Sequence, residues 1–236
     1  MTRFARVIAV DVPHHVTQRG NARRFILDRD EERTTYLDLL RQYAEEEQVV
    51  VTGYSLMSNH VHLIVIPRKP KALALAMKYT HGRYASYWNV GHQSCGHAWQ
   101  GRFFSCPLDE AHFWAALRYA ELNPVRAGLV QTPEAWPWSS AAAHCGLAPP
   151  DAILDMTQWR ERWNESSWRE YLAAQGTEEE IAALRQCTYS GRPLGTPEFI
   201  DGLEKAMKRQ LAPQKGGRPK KKAIDKNQGA LVFDGE

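Results

Sequence analysis

The sequence has no apolar stretch long enough to cross a lipid bilayer. Its longest apolar runs, such as residues 61–66, are far shorter than the ~20 residues that a transmembrane helix needs, and the mean hydropathy is −0.51. The first ten residues carry Arg3 and Arg6 around one short apolar stretch, which is unlike the apolar centre of a signal peptide. We therefore expect a cytoplasmic protein without a membrane partner.

Cysteine is scarce and widely spaced. The 236 residues include 4 cysteines, and no two of them have the CxxC spacing. This pattern excludes a zinc ribbon and provides no disulfide framework for a chain of this length, so reduced thiols are expected. With 43% hydrophobic residues the chain can build a core, and its length predicts one domain with a large appendage or two small domains.

The net charge is small, at +3, but it is unevenly distributed. Residues 205–226 contain nine Lys or Arg and one acid, whereas the rest of the chain holds 21 basic and 26 acidic residues. A basic tail on a nearly neutral body favours an anionic polymer as the partner, without saying which polymer.

The hydrophobic pattern predicts an α+β fold with the order β-α-β-β-α-β, followed by one more helix. β-branched density marks the strands, and helical spacing of apolar residues marks the helices. This order is typical of the ferredoxin-like split βαβ fold, which has a four-stranded antiparallel sheet. The predicted strands are 14–20, 49–56, 60–66 and 99–106, and the predicted helices are 30–47, 73–88 and 109–122.

Beyond residue 128 the pattern changes. Residues 136–140 (WPWSS) suggest a packed loop that closes the first domain, and the chain from about 151 onward has helical patterns. We predict a core at 1–146, a helical C-terminal region at 151–211 and a basic tail at 212–236 that is disordered when free.

His60 and His62 are the most informative pair of residues. Residues i and i+2 of a strand point to the same face, with Cβ atoms roughly 7 Å apart, so two imidazoles can share one divalent cation. An isolated pair of this kind is more often two polar residues at a strand end. The alternating Val61, Leu63 and Val65 form an apolar face that suits a core under helices.

Tyr119 and Asn123 lie four residues apart at the end of the last helix of the β-α-β-β-α-β-α order. They therefore share a helix face, and Asn123 can offer a carbonyl oxygen to a metal. A helical tyrosine alone is usually half-buried packing. Glu121 is a competing ligand, but it points away from the face of Tyr119.

Five separated blocks of this sequence resemble the HUH single-strand transposases with one catalytic tyrosine, above all the REP-associated tyrosine transposases. They occur in the expected order between about residues 14 and 146. Two departures, Ser58 in place of a usual proline and Ala120 in place of Ile or Val, change no proposed reacting group. The blocks are 15–21 (HVTQRGN), 58–65 (SNHVHLIV), 99–103 (WQGRF), 119–130 (YAELNPVRAGLV) and 136–140 (WPWSS).

The resemblance implies a nuclease core that cuts single-stranded DNA at hairpins of the REP type and can also rejoin strands. It implies that Tyr119 is the nucleophile of a 5′-phosphotyrosine intermediate, and that His60, His62 and Asn123 hold Mg²⁺ or Mn²⁺. A monomer is favoured over a dimer, and association with the nucleoid is expected. The predicted DNA-binding residues are Arg19, Arg102, Arg126, Lys215, Arg218, Lys220, Lys221 and Lys222.

Two other functions compete with this interpretation. A non-catalytic RRM-like module would need aromatic residues on its central strands to stack bases, and residues 61–66 contain none. A metal-dependent nuclease without a covalent intermediate would not need Tyr119.

Overall fold

A computed structural model describes residues 6–212 and has the predicted α+β architecture. The four strands and the first three helices follow the predicted order, and the basic residues 215–222 of the tail lie outside the described residues. The strands are β1 (His14–Arg19), β2 (Val49–Met57), β3 (His60–Pro67) and β4 (Phe104–Pro107). The helices are α1 (Asp30–Glu47), α2 (Ala72–Gly91), α3 (Glu110–Glu121), α4 (Asn123–Arg126), α5 (Ala141–His144), α6 (Thr157–Arg162), α7 (Glu165–Ala173), α8 (Glu178–Ser190) and α9 (Pro197–Met207).

The strands form one antiparallel sheet in the order β2-β3-β1-β4, which is the ferredoxin-like arrangement. β1 and β3 therefore lie at its centre, and their register sets the neighbours of the two histidines. His60 lies opposite Arg19 of β1, and His62 lies opposite Thr17 of β1 and Ser55 of β2. Residues that lie opposite each other in an antiparallel pair share a face, so these side chains point to the same side of the sheet.

One face of the sheet is covered by α1 and α2. Val61, Leu63 and Val65 are completely buried in a cluster with Tyr36 of α1 and Tyr84 of α2. The apolar face that the sequence predicted thus forms the main core. Its burial leaves only the opposite face of β3 free to carry polar side chains.

The opposite face of the sheet is covered by α3 and the C-terminal helices. Ile64 is buried against them, while the histidines of β3 line a cavity on this face. Gly53 of β2 permits the close packing of α3, because a Cβ at this position would collide with the side chain of Leu117. This contact sets the distance between α3 and the sheet. Tyr119 lies half a turn beyond Leu117 in the same helix.

β4 is shorter than predicted. The strand begins at Phe104 rather than at residue 99, because β1 pairs with β4 only as far as Thr17. Before Phe104, Trp99 forms only an isolated β-bridge with Gly20. The side-chain amide of Gln18 donates a hydrogen bond to the carbonyl of Gly101. The segment 99–103 is consequently a loop at the edge of the sheet.

The C-terminal helices pack on the α3 side of the sheet. Trp168 of α7 and Leu184 of α8 are buried in the same cluster as Phe113 and Leu117 of α3. The predicted division at residues 146 and 151 stays a prediction, since this cluster contains residues from both sides of it. Within residues 6–212, no helix is both long and apolar enough to span a membrane.

Candidate active site

His60 and His62 stand side by side on β3 and open onto a cavity. Their ring centroids are 4.9 Å apart and their planes are nearly perpendicular. His60 is half-buried, whereas His62 is 5% exposed. The i, i+2 spacing on a strand thus places the two imidazoles on one face, as the sequence predicted.

The hydrogen bond of His60 is made at Nδ1, and its Nε2 atom has no partner among the described residues. His60 Nδ1 lies 2.6 Å from the amide oxygen of Asn59. An amide oxygen can only accept a hydrogen bond, so Nδ1 carries the proton and Nε2 keeps its lone pair. This is the tautomer in which an imidazole binds a metal through Nε2.

His62 is held by a chain of two further side chains, His15 of β1 and Thr188 of α8. His62 Nδ1 lies 2.8 Å from His15 Nε2, and His15 Nδ1 lies 2.8 Å from Thr188 Oγ1. The two imidazole rings are stacked with centroids 5.1 Å apart. If each Nδ1 donates along this chain toward the threonine hydroxyl, Nε2 of His62 is left as a free acceptor beside that of His60.

Burial keeps these imidazoles neutral. It lowers the pKa of His60 to about 4, with nearby Arg19 adding to the effect. Burial also lowers the pKa of His62 well below its ordinary value and that of His15 to about 3, and His60 lowers both further. Neutral imidazole is the form that binds a metal, so no proton has to be displaced near pH 7.

The ring of Tyr119, on α3, lies edge-on to the rings of His62 and His15. Its ring centroid is 5.4 Å from that of His62 and 5.9 Å from that of His15, and the planes are nearly perpendicular. The side chain is 7% exposed. Its hydroxyl accepts a hydrogen bond of 3.2 Å from Nε of Arg185. The ring of Tyr119 therefore lies beside these two histidines, and its hydroxyl is held by Arg185.

Asn123 is placed by the turn that follows α3. Its side-chain NH₂ donates to the carbonyl of Tyr119 at 2.8 Å, which leaves the side-chain oxygen available as an acceptor. Arg126 donates to the same carbonyl at 2.9 Å, and its guanidinium lies 4.9 Å from the centroid of the tyrosine ring. These contacts fix Tyr119, Asn123 and Arg126 as one unit.

One cavity of about 350 Å³ collects the predicted metal and catalytic residues. His60, His62, Tyr119 and Asn123 all line it, and its lining includes no carboxylate. No group of three or more His, Cys, Asp or Glu residues suited to a metal occurs within 6–212. Two imidazoles and an amide oxygen fit a divalent cation that takes its remaining ligands from phosphate and water.

Comparison with known proteins finds a related family for the part of the chain that contains these residues. Residues 9–123 match the profile of the family described as "Transposase IS200 like". Residues 9–123 are therefore similar to an IS200-like transposase. The resemblance that the sequence blocks indicated is confirmed by this match, whose last residue is Asn123. No curated protein sequence matches the chain.

One of two similar solved structures supports the same fold. The structure of a REP-associated tyrosine transposase bound to a REP hairpin covers 66% of this chain and 94% of its own, with a TM-score of 0.54 and 17% identity. A crystal structure of a protein from Deinococcus radiodurans R1 that is named as a transposase covers 54% and 98%, with a TM-score of 0.37 and 16% identity. The first of these likenesses establishes the fold.

The predicted DNA-binding residues within 6–212 lie around two neighbouring cavities. Arg19 lines the cavity of the histidines, as does Arg126 just beyond the matched segment. Arg102 lines a second cavity of about 270 Å³, to which Arg19 and Arg23 also contribute. Tyr189 of α8 lines both cavities, so they adjoin each other. The remaining predicted residues, Lys215, Arg218, Lys220, Lys221 and Lys222, lie outside the described residues.

Three residues that complete the site were not singled out by the sequence. His15 belongs to the quoted block 15–21 and shares a strand face with Thr17 and Arg19, so its position could have been inferred from strand periodicity. Arg185 and Thr188 lie on α8, outside the matched IS200-like segment. Their sequence spacing gave no indication of which core element α8 would contact.

Proposed function

We propose that this protein is a transposase that cleaves single-stranded DNA beside a hairpin of the REP type. Tyr119 is the nucleophile and Mg²⁺ or Mn²⁺ is the cofactor. The observation that carries this proposal is the single cavity lined by Tyr119, His60, His62 and Asn123. The IS200-like match supports the enzyme class, and the hairpin bound to the solved neighbour supports the substrate.

The chemistry follows from the position of the phenol oxygen. Tyr119 Oη attacks the phosphorus atom and forms a phosphotyrosine ester, while the bond from phosphorus to the 3′ oxygen of the upstream nucleotide breaks. The phenol loses its proton, and the released 3′ oxygen takes one up. Because the bond energy is kept in the ester, attack by a 3′-OH can reverse the step and join strands.

The chain offers Nε2 of His60, Nε2 of His62 and the side-chain oxygen of Asn123 to the cation. When bound there, a divalent cation supplies Lewis-acid stabilisation of the phosphate and orients it toward the nucleophile. His15 and Thr188 have a positioning role, because they hold the proton of His62 on Nδ1 and thereby keep Nε2 free. Imidazoles also accept zinc, so the choice of Mg²⁺ or Mn²⁺ follows the family resemblance.

The arginines around the two adjoining cavities suggest the path of the DNA. Arg19 and Arg126 are positioned to neutralise the phosphate at the site of cleavage. Arg102 extends the positive surface beyond Arg19, which is the last residue of β1. The basic tail adds phosphate contacts that depend on salt, since each contact releases counterions. A DNA substrate of this kind places the protein at the nucleoid of the cytoplasm.

One chain supplies the nucleophile and all the proposed metal ligands to the same cavity. A second copy is therefore not needed to complete the site. We propose that the protein acts as a monomer, which light scattering in solution can check.

The geometry argues against the two competing functions. An RRM-like module would stack bases on central strands, but β1 and β3 carry no Phe, Tyr or Trp. A hydrolase without a covalent intermediate would not need Tyr119, yet the ring of Tyr119 lies against His62 and its hydroxyl is held by Arg185. Tyr119 is the side chain best placed to attack.

The decisive experiment is to trap the covalent adduct on a single-stranded oligonucleotide that carries a hairpin. With Mg²⁺ or Mn²⁺, the wild-type protein should keep the 5′ end of the downstream fragment after denaturation, on the peptide that contains Tyr119. Tyr119→Phe removes one oxygen and should abolish the adduct while DNA binding persists. Tyr87→Phe removes the same atom from an exposed tyrosine of α2 and should leave adduct formation unchanged.

The outcomes separate the candidate functions. Cleavage by the wild type without any adduct would favour the hydrolase, and binding without cleavage would favour the RRM-like module. An adduct formed by Tyr119→Phe would assign the nucleophile to another tyrosine.

A further inference from the structure

α8 lies outside the matched IS200-like segment, yet it forms one wall of the candidate active site. Arg185, Thr188 and Tyr189 all line the cavity that contains Tyr119 and His62. Residues three and four apart share a helix face, so this wall is one continuous side of α8. The same face therefore contacts both the proposed nucleophile and the chain of side chains behind a proposed metal ligand.

Arg185 contacts the atom that would react. Its Nε donates to the hydroxyl of Tyr119 at 3.2 Å, and its guanidinium lies 5.6 Å from the centroid of the tyrosine ring. In the described part of the chain, no other side chain donates a hydrogen bond to this oxygen. The hydrogen bond with Tyr119 raises the pKa of Arg185 above its ordinary value, which is consistent with a permanent positive charge at this position.

The position of α8 is fixed by contacts on both sides of Arg185. At its N-terminus, Glu180 forms a capping box with Thr177 and an ion pair of 2.9 Å with Arg118, the residue before Tyr119. Ile181 and Leu184 are buried in the cluster that includes α3. α8 is therefore held in a defined register against the helix that carries Tyr119.

We propose that Arg185 is a further catalytic residue of the cleavage reaction, supplied by the C-terminal helical region. This inference rests on the proposed function of Tyr119. As the phenol loses its proton and attacks phosphorus, negative charge develops on its oxygen, and a fixed cation beside that oxygen stabilises it. Arginine keeps its own proton under these conditions, so it orients and stabilises the oxygen without acting as the base.

Arg185 and Arg126 have different roles in this arrangement. Arg126 donates to the backbone carbonyl of Tyr119 and lies over its ring, so it fixes the position of the residue. Arg185 alone reaches the hydroxyl. Loss of Arg185 should therefore slow the covalent step more than it weakens the binding of DNA.

The test measures adduct formation in a single turnover at saturating hairpin DNA, together with DNA affinity, for wild type, Arg185→Ala and Arg185→Lys. For Arg185→Ala the rate should fall about a hundredfold, the usual effect of removing one charge-stabilising donor, while the Kd for DNA changes less than about threefold. Arg185→Lys should recover part of the rate. Added guanidinium ion should accelerate Arg185→Ala and leave the wild type unchanged, which a purely structural role would not produce.

Arg160→Ala on α6 is a matched control, because it removes one exposed arginine that lines neither of the two adjoining cavities. It should keep the wild-type rate. A wild-type rate in folded Arg185→Ala, or an equal loss in Arg160→Ala, would overturn the inference and leave the nucleophile assignment intact. Absence of any adduct with the wild-type protein would instead contradict the proposed function itself, and this inference with it.

Discussion

Two buried polar clusters flank the end of α3, and they differ in whether they open onto a cavity. The histidine cluster consists of His15, His62 and Thr188, and it opens onto the cavity of the candidate site. The Nδ1 atoms of His15 and His62 both lie within hydrogen-bonding distance of another member of this cluster. The Nε2 atom of His62 faces the cavity and has no protein partner in the described chain. This cluster can accept a further ligand.

The Glu121 cluster lies behind α3 and is closed. One carboxyl oxygen of Glu121 accepts from Ser140 Oγ at 2.6 Å and lies 2.5 Å from His144 Nδ1, and the other accepts from Trp168 Nε1 at 2.9 Å. Glu121 and His144 are both completely buried. The carboxyl group therefore connects α3 to α5 and α7 and has no surface left for a ligand.

The comparison shows why residue type alone does not identify a metal ligand. A carboxylate is a better ligand for Mg²⁺ than an imidazole, yet Glu121 is used to join helices, and the weaker donors face the cavity. A buried carboxylate enclosed by its hydrogen-bond partners stabilises the fold, whereas an imidazole with a lone pair left toward a cavity can serve in catalysis.

The largest expected contrast is between truncations in the two clusters. Glu121→Ala leaves His144 Nδ1 and Trp168 Nε1 buried without the carboxylate that binds them, so the free energy of unfolding should fall by about 3 kcal/mol or more. His62→Ala should lower it by much less, because water can enter the cavity, but cleavage should fall at least about a hundredfold. Urea denaturation and adduct assays on both variants measure this contrast. Full cleavage by His62→Ala would contradict the metal-site assignment.

Much of this arrangement could be predicted from the sequence, because it depends on local periodicity. Strand alternation placed His60 and His62 on one face, and helical spacing placed Asn123 with Tyr119. The same reasoning indicated correctly that Glu121 points away from Tyr119. β4 was predicted too long, since an aromatic and β-compatible segment does not reveal where its partner strand ends.

The contribution of α8 could not be predicted, because it depends on contacts between residues far apart in the chain. His15 and Thr188 are separated by 173 positions, and Tyr119 and Arg185 by 66. A capping box at Thr177 marks where this helix begins. Nothing in the sequence of α8 indicated whether its polar face would meet solvent or the sheet.

A buried histidine remote from both clusters tests whether burial alone accounts for the neutral imidazoles. His81 of α2 is hydrogen-bonded to the hydroxyl of Tyr36 on the other side of the sheet, and burial lowers its pKa from 6.5 to about 3. The unfolded chain takes up a proton below pH 6.5 that the folded chain does not, so this group removes stability as the pH falls from 6.5 toward 3. By pH 5 the loss is about 2 kcal/mol.

His81→Gln should remove this contribution. The slope of unfolding free energy against pH between 4 and 6 should decrease by about 1.4 kcal/mol per pH unit, which corresponds to one proton. Cleavage at pH 7.5 should not change, because His81 does not line the cavity of Tyr119, His60 and His62. An unchanged slope in chemical denaturation across this range would show that His81 is protonated in the folded protein.

The smallest expected effect concerns Thr188, and it tests whether the open cluster acts on the metal through His15. Thr188→Val keeps the shape of a completely packed side chain but removes the hydroxyl that fixes the proton on His15 Nδ1. Without that acceptor, the proton on His62 is no longer confined to Nδ1, so Nε2 is available for a smaller fraction of the time. We expect the affinity for Mn²⁺, measured by calorimetry in the absence of DNA, to fall about tenfold, as for other residues that orient a metal ligand.

Thr188→Ser keeps the hydroxyl and should bind Mn²⁺ like the wild type. Equal affinities for the valine and serine variants would mean that the chain behind His62 only packs against α8.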